Sequence, residues 1–298
     1  MDKAHKYTDK QIEKLEKEIK KVYKSTLDNL NKELEKVLVK IDLTQDPKKL
    51  YPKLMKEKRI KSLIQRLTNE LNQANKIAVQ IMNNELIEVY GYNHNWEAYS
   101  LEKELGYDLN FTVFNKQTIK AILQDETNPF ALIALDDLED KADIIKRLRR
   151  ELLSGLLAGE SISKIAKRIE NVTNKKRYNS IRIARTETTR VQNSARYDVM
   201  KHAEKQGLKI SKRWISTLDT RTRSSHKHLN NETVGLNDTF SNGLEFPGDP
   251  KGHVSEVVNC RCTMITEFDG FEKSKEELKL EEDLKNKEFE VWVKEHEV

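Results

Sequence analysis

Apolar residues recur at alternating spacings of three and four through much of residues 12–81, and no other feature limits the fold as strongly. Ile12, Leu15, Ile19, Val22 and Thr26 form one such series, and Leu27, Leu30, Leu34, Val37 and Ile41 resume it one residue out of step. This periodicity predicts one long amphipathic helix whose apolar stripe slips at Thr26–Leu27. Asp46-Pro47 and Pro52 are expected to end it, because proline cannot donate the helical hydrogen bond. A second long helix is marked by Ile60, Leu63, Leu67, Leu71, Ala74, Ala78 and Ile81, with a glycine stop expected near Tyr90-Gly91-Tyr92-Asn93. With only 10 Gly and 5 Pro among 298 residues, a chain rich in Lys, Glu and Leu favours long helices.

The same reading continues downstream. Trp96, Tyr99, Tyr107, Phe111 and Phe114 form an aromatic cluster, best used as a local core. Helices are expected from Asn128-Pro129 through Leu138 and over roughly 141–158, ending at Ala158-Gly159. Ser161 is placed to cap a short helix from Ile162 to Asn171. A separate basic helix then runs from about Lys176 to Gln206 and stops at Gly207. Beyond it the chain changes character: five of the ten glycines, Pro247, Pro250 and both cysteines lie in 235–270. Leu208, Ile210, Lys212, Trp214 and Ser216 alternate with polar residues as a strand does. A short helix carries His226, 235–252 is mostly loop, and Val257–Phe268 reads as a closing strand. A charged helix is expected over 273–290. The fold class is therefore mainly α, a long helical N-terminal arm followed by a small α+β module. The division is 1–160 (helical arm), 161–268 (module) and 269–298 (charged tail).

The net charge of +5 conceals strong segregation, with +8 over residues 1–66, −6 over 85–151, +11 over 164–213 and −6 over 267–298. Blocks of opposite sign either attract one another within the fold or address different partners. Two cysteines in so long a chain exclude a disulfide scaffold and fit a reducing compartment. No run of eighteen apolar residues is present, and the charged start is not a signal core.

Three sets of residues bear on chemistry. Cys260-Arg261-Cys262 in an extended segment puts both thiols on one side and Arg261 on the other. Two such thiols can share a zinc ion if nitrogen or oxygen ligands complete the tetrahedron. His226 and His253 are the favoured partners, with His228 and Asp219 also near; otherwise the two cysteines are inert core residues. His226, His228 and His253 with Asn230 and Asn231 also admit a metal-dependent nuclease. That reading lacks clustered carboxylates, because only Asp219, Glu232, Asp238 and Asp249 lie nearby in sequence. On the basic helix, Arg182, Arg185 and Arg196 share a face, and with Lys175 and Lys176 they form a ridge suited to a phosphate backbone. The competing use is pairing within the helix, such as Glu187 with Arg190.

From the basic helix onward the sequence resembles the phage head morphogenesis family typified by the F protein of phage Mu, the minor head proteins. Several blocks carry the likeness, in order. They are Ala184-Arg185-Thr186-Glu187-Thr188 with Arg190 and Asn193, then Trp214, then Asp219-Thr220-Arg221-Thr222-Arg223-Ser224-Ser225-His226. Phe246-Pro247-Gly248-Asp249-Pro250 and Asn259-Cys260-Arg261-Cys262 follow. The likeness covers 176–268, under a third of the chain. Where the family often has Gly after Leu-Asn, this chain has Asn231, which tolerates the same left-handed turn. The resemblance implies a virion component made in the host cytoplasm, built into the procapsid at the portal vertex and sometimes leaving with the DNA. Its implied partners are the portal protein, capsid and scaffold proteins and packaged double-stranded DNA, with no membrane in the assembled head. It implies neither enzymatic activity nor a required cofactor. Trp214, Asp219, Arg221, Arg223 and Asn259 then take structural roles, with Asp219 capping the turn and pairing with Arg221 or Arg223.

Overall fold

The computed structural model describes residues 2–39, 58–124, 141–271 and 287–297. The elements are α1 (Lys3–Leu38), α2 (Lys58–Leu105), α3 (Lys116–Gln124), α4 (Lys141–Leu157) and α5 (Ile162–Lys205). They continue with β1 (Leu208–Ile215), α6 (Ser224–His228), β2 (Thr233–Gly235), α7 (Val254–Val257), β3 (Thr263–Phe271) and α8 (Phe289–His296). The fold is mainly helical with a small antiparallel sheet, as the sequence predicts. The proline breaks at 47 and 52, the helix expected after Asn128-Pro129 and most of the 273–290 helix lie outside the described residues.

The chain forms two compact units that interleave along the sequence. One comprises Met1–Lys14, Asn83–Leu132 and Arg182–Val298, the other Leu15–Met82 and Ile133–Ile181. In the second unit, Leu30, Leu34, Leu63, Leu67, Leu148, Leu152, Ile165 and Ile169 pack into one core from α1, α2, α4 and α5. The stripe on α1 does not slip. Its buried positions run Leu15, Ile19, Tyr23, Thr26, Leu30, Leu34 and Val37. Tyr23 fills the apparent gap because its ring buries while its hydroxyl donates to Asn75 Oδ1 at 2.5 Å and meets Ser180 Oγ at 2.8 Å.

Two expected helix ends are absent. Gly91 lies inside α2, which continues to Leu105. A Cβ at Gly91 would stand 2.9 Å from Ile119 Cδ1, so the glycine permits the close approach of α3 and does not stop the helix. The short helix after Ser161 and the basic helix are one element, α5. Asn171–Lys176 contains no Pro or Gly, and buried Val172 and Thr173 hold the register there. Gly159 and Gly207, by contrast, have φ of 63° and 92° and do terminate α4 and α5.

In the first unit β1 is the central strand of the sheet β2-β1-β3, antiparallel to both neighbours. Behind it Trp214, Leu229, Phe240, Leu244, Val257, Cys260 and Cys262 form a compact core. The aromatic residues of 94–126 pack in two groups, Trp96 with Tyr99 and Phe111 and Phe114 against His94. Phe289 of α8 lies edge-on to Trp96 and Tyr99, and Trp292 of α8 lies edge-on to Tyr99. Among the described residues, no helix is long and apolar enough to cross a membrane.

Candidate functional site

The site is organised by one face of α5. Thr186 Oγ1 accepts the Asn259 amide at 3.0 Å, and Thr189 Oγ1 donates to the Cys260 carbonyl at 2.8 Å. Asn193 Nδ2 donates to the Cys262 carbonyl at 3.2 Å, while its Oδ1 accepts the Met264 amide at 3.1 Å. Arg196 Nη1 reaches the Met264 carbonyl at 2.9 Å. Positions 186, 189, 193 and 196 share one helical face, and the carbonyls at 260, 262 and 264 share one side of an extended chain. Asn259, at φ 57°, turns the chain into this segment. The expected closing strand therefore starts later: residues 254–257 form α7, and the hydrogen-bonded ladder begins at Thr263, because α5 side chains occupy the backbone groups before it.

The alternation of Cys260, Arg261 and Cys262 survives without the ladder. Both sulfurs point to His226 of α6, whose Nδ1 lies 3.6 Å from Cys260 Sγ and 3.4 Å from Cys262 Sγ. All three residues are buried. The other ring nitrogen, Nε2, is 3.0 Å from Glu256 Oε2, and Ser225 Oγ donates to the same carboxylate at 3.1 Å. Trp214 stands edge-on over the imidazole at 5.2 Å. The contact between the two sulfurs draws Cys262 below the usual thiol range against burial, whereas the same contact together with burial pushes the Cys260 thiol up.

Other expected ligands are placed elsewhere. His253 is exposed, and its Nδ1 accepts the Ser255 amide at the start of α7, so it does not join the thiols. His228 is exposed on a different face of α6 from His226. Asp219 is held by Arg261 through two bonds of 2.7 Å. Those bonds keep the Asp219 carboxyl well below the usual carboxylate range, helped by the Arg221 amide at 2.9 Å. Asp219 does cap its turn, but its main partner is Arg261, with Arg221 Nε farther off at 3.6 Å. Arg223 instead donates to the carbonyls of Glu256 and Val258, tying α6 to α7. Trp214 is fully buried, with Nε1 on Ser216 Oγ at 3.1 Å.

Beside Asp219, Arg185, Arg221, Arg223, Arg261 and Asn259 line a cavity of about 340 Å³. Four guanidinium groups surround this one opening, with Asp219 bound to Arg261 and lying 3.6 Å from Arg221, a concentration of positive charge suited to an anion. The ridge expected on the basic helix is thus redrawn. Arg185 faces this cleft and Arg182 is exposed, whereas Arg196 is completely buried and cannot meet a nucleic acid. It is bound by Asp2 at 2.7 Å and by Glu97 at 3.5 Å. Lys175, exposed, and Lys176, half-buried, belong to the other unit. Glu187 and Arg190 pair at 2.8 Å, as the helical spacing allows. Glu256, which orients His226, carried no sequence signal, and Arg221, Arg223 and Arg261 converge with Arg185 only through the fold.

Comparison with known proteins accords with this geometry. Residues 146–265 match the family described as Phage Mu protein F like protein. The chain is 26% identical over 274 residues to Minor head protein GP7 of Bacillus phage SPP1, covering 90% of this chain and 87% of that protein. It is also 32% identical over 130 residues to the NAD(+)–arginine ADP-ribosyltransferase EFV of Enterococcus faecalis, but this spans 43% of the chain and 27% of that protein. No solved structure matches.

Proposed function

We infer, from residues 146–265 matching the Phage Mu protein F like family and 26% identity to GP7 across 90% of the chain, that this is a phage minor head protein. That extent of likeness carries the reading. As a head protein it is a component of the virion and associates with other components of the phage head. The α5 face supports a structural role, since the motif residues Thr186 and Asn193, with Thr189 between them, are spent on holding the Asn259–Met264 segment. Membership of a head-protein family favours a non-enzymatic role over the nuclease alternative. The activity in the name of the Enterococcus relative belongs to a protein of which this chain matches 27%.

The finer assignment is a place at the portal vertex, reached in the host cytoplasm before packaging, with DNA as a second partner. Long amphipathic helices supply contact surface, and the arginine cleft supplies charge for a phosphate backbone. Co-expression with the portal protein of the same phage tests the first point. Co-purification of the two and entry into procapsids are expected; failure of both removes the portal assignment. For DNA, affinity should fall steeply with salt, and Arg185→Gln with Arg221→Gln should lower the slope of log K against log salt by about 2. An unchanged slope removes the cleft from DNA binding.

A further inference from the structure

The cluster of Cys260, Cys262 and His226 is used by nothing in the structural role above, and its ligand atoms all lie within 4.8 Å of one another. A tetrahedral zinc with Zn–S near 2.3 Å and Zn–N near 2.05 Å sets its nitrogen and sulfur ligands about 3.6 Å apart. The two Nδ1–Sγ separations here are 3.6 and 3.4 Å. The imidazole is also presented in the required form. Nε2–H donates to Glu256 Oε2 at 3.0 Å, which leaves the Nδ1 lone pair facing the sulfurs, the carboxylate–histidine–metal arrangement of zinc proteins. Burial among Trp214, Phe240 and Val257 removes competing water from the thiols.

We propose that Cys260 Sγ, Cys262 Sγ and His226 Nδ1 bind a zinc-class divalent cation, with Glu256 as the residue that orients His226. Binding forms three metal–ligand bonds, with the cysteines bound as thiolates and their protons released to solvent. The ion ties β3's approach segment to α6, so it locks the module from within. His253 has no part in it.

The test uses the full chain. Protein purified from zinc-supplemented medium and freed of loose metal should hold about one zinc per chain. Replacing zinc with Co²⁺ should give thiolate-to-cobalt charge-transfer absorption and the intense visible bands of a tetrahedral site. Cys260→Ser and Cys262→Ser should each abolish the charge-transfer pattern, and Glu256→Gln should weaken zinc in chelator competition by about 10–100-fold. A folded wild-type chain that neither retains zinc nor develops the cobalt bands overturns the site. So do bands that persist in both cysteine variants. Should the cysteine variants fail to fold, Glu256→Gln decides, and a chelator profile identical to wild type counts against the assignment.

Discussion

Replacing Arg196 with Met should destabilise the unit that contains it more than any single change in the arginine cleft. The side chain is completely buried. Its guanidinium bonds Asp2 Oδ1 at 2.8 Å and the Met264 carbonyl at 2.9 Å, and it is the cation nearest the buried Glu97 carboxylate at 3.5 Å. Burial works against ionisation of both partners. The Asp2 carboxyl overcomes burial through Arg196 and is held low, whereas the Glu97 carboxyl is pushed up by burial with Arg196 pulling back. Methionine fills much of the volume but leaves that carboxylate without its cation, which costs about 3–5 kcal/mol. With a urea slope of about 2 kcal/mol/M, the unfolding midpoint falls by about 1.5–2.5 M.

All three tryptophans, Trp96, Trp214 and Trp292, lie in the same compact unit as Arg196, so tryptophan fluorescence reports its unfolding without contribution from the other unit. The Arg196→Met deficit should shrink as pH falls. Once Arg196 is gone, the folded-state pKa of Glu97 rises further above its unfolded value, and such a group contributes stability below the unfolded pKa that is lost as pH rises through the folded one. Adding Glu97→Gln should recover about 1–3 kcal/mol of the loss. A midpoint shift below about 0.5 M, or a double variant that simply adds the two single effects, would refute the account of Arg196 as a buried charge anchor.

Two further outcomes follow from other buried groups. Lys212 is fully buried on β1, with Nζ donating to the Leu236 carbonyl at 2.6 Å and lying 4.9 Å from the Tyr197 ring centre. Burial lowers it to about 8 against the pull of Glu245 and Asp238. Since the folded chain sheds this proton earlier than the unfolded one, stability should rise with pH between about 8 and 10.5, by roughly 1–3 kcal/mol, and Lys212→Met should erase that rise in urea melts at pH 7 and 10. Gly248 has φ 88° and would place a Cβ 3.1 Å from Arg190 Cα, whereas Gly243 has φ 82° with open space around it. Gly243→Ala should therefore cost about 1 kcal/mol from backbone strain alone, and Gly248→Ala about 2–4 kcal/mol from strain plus overpacking, read as denaturant midpoints.

What could be read from the sequence was what periodicity and local chemistry determine. The α1 stripe is visible in the sequence, but its slip comes from placing Val22 on it where Tyr23 is buried, and only the fold shows the Tyr23 hydroxyl meeting Asn75 and Ser180. Gly91 has the same sequence signature as Gly207, yet one admits a neighbouring helix and the other ends its own, and the difference is a contact with Ile119 far along the chain. The two-sided geometry of Cys260-Arg261-Cys262 followed from backbone alternation alone. That His226 and not His253 meets the thiols did not, because His253 caps α7, a four-residue helix too short to leave a periodic signal. Arg196 shares its helical face with the motif residues, and nothing local distinguishes a buried arginine from an exposed one.

The register between α5 and the segment it holds explains which residue types occupy this helical face. Both run in the same direction, but a helix advances about 1.5 Å per residue and an extended chain about 3.3 Å. Starting level at Thr189 and Cys260, the helix has moved about 6.0 Å by Asn193 while the strand has moved about 6.6 Å by Cys262. By Arg196 and Met264 the figures are about 10.5 and 13.2 Å, so the helix has fallen nearly 3 Å behind. The side chains lengthen as the gap opens, from threonine to asparagine to arginine, and each still reaches the carbonyl opposite at 2.8, 3.2 and 2.9 Å. Arginine at 196 is thus required by reach before it is required by charge. An asparagine there would be too short for Met264 even with Asp2 and Glu97 neutralised, whereas a threonine at 193 would lose both of the bonds that Asn193 makes to Cys262 and Met264. This face of α5 is therefore consumed in matching two unequal periods inside the module, while other motif residues, Arg185, Arg221, Arg223, Asn259 and Arg261, line the arginine cleft and stay available to a partner.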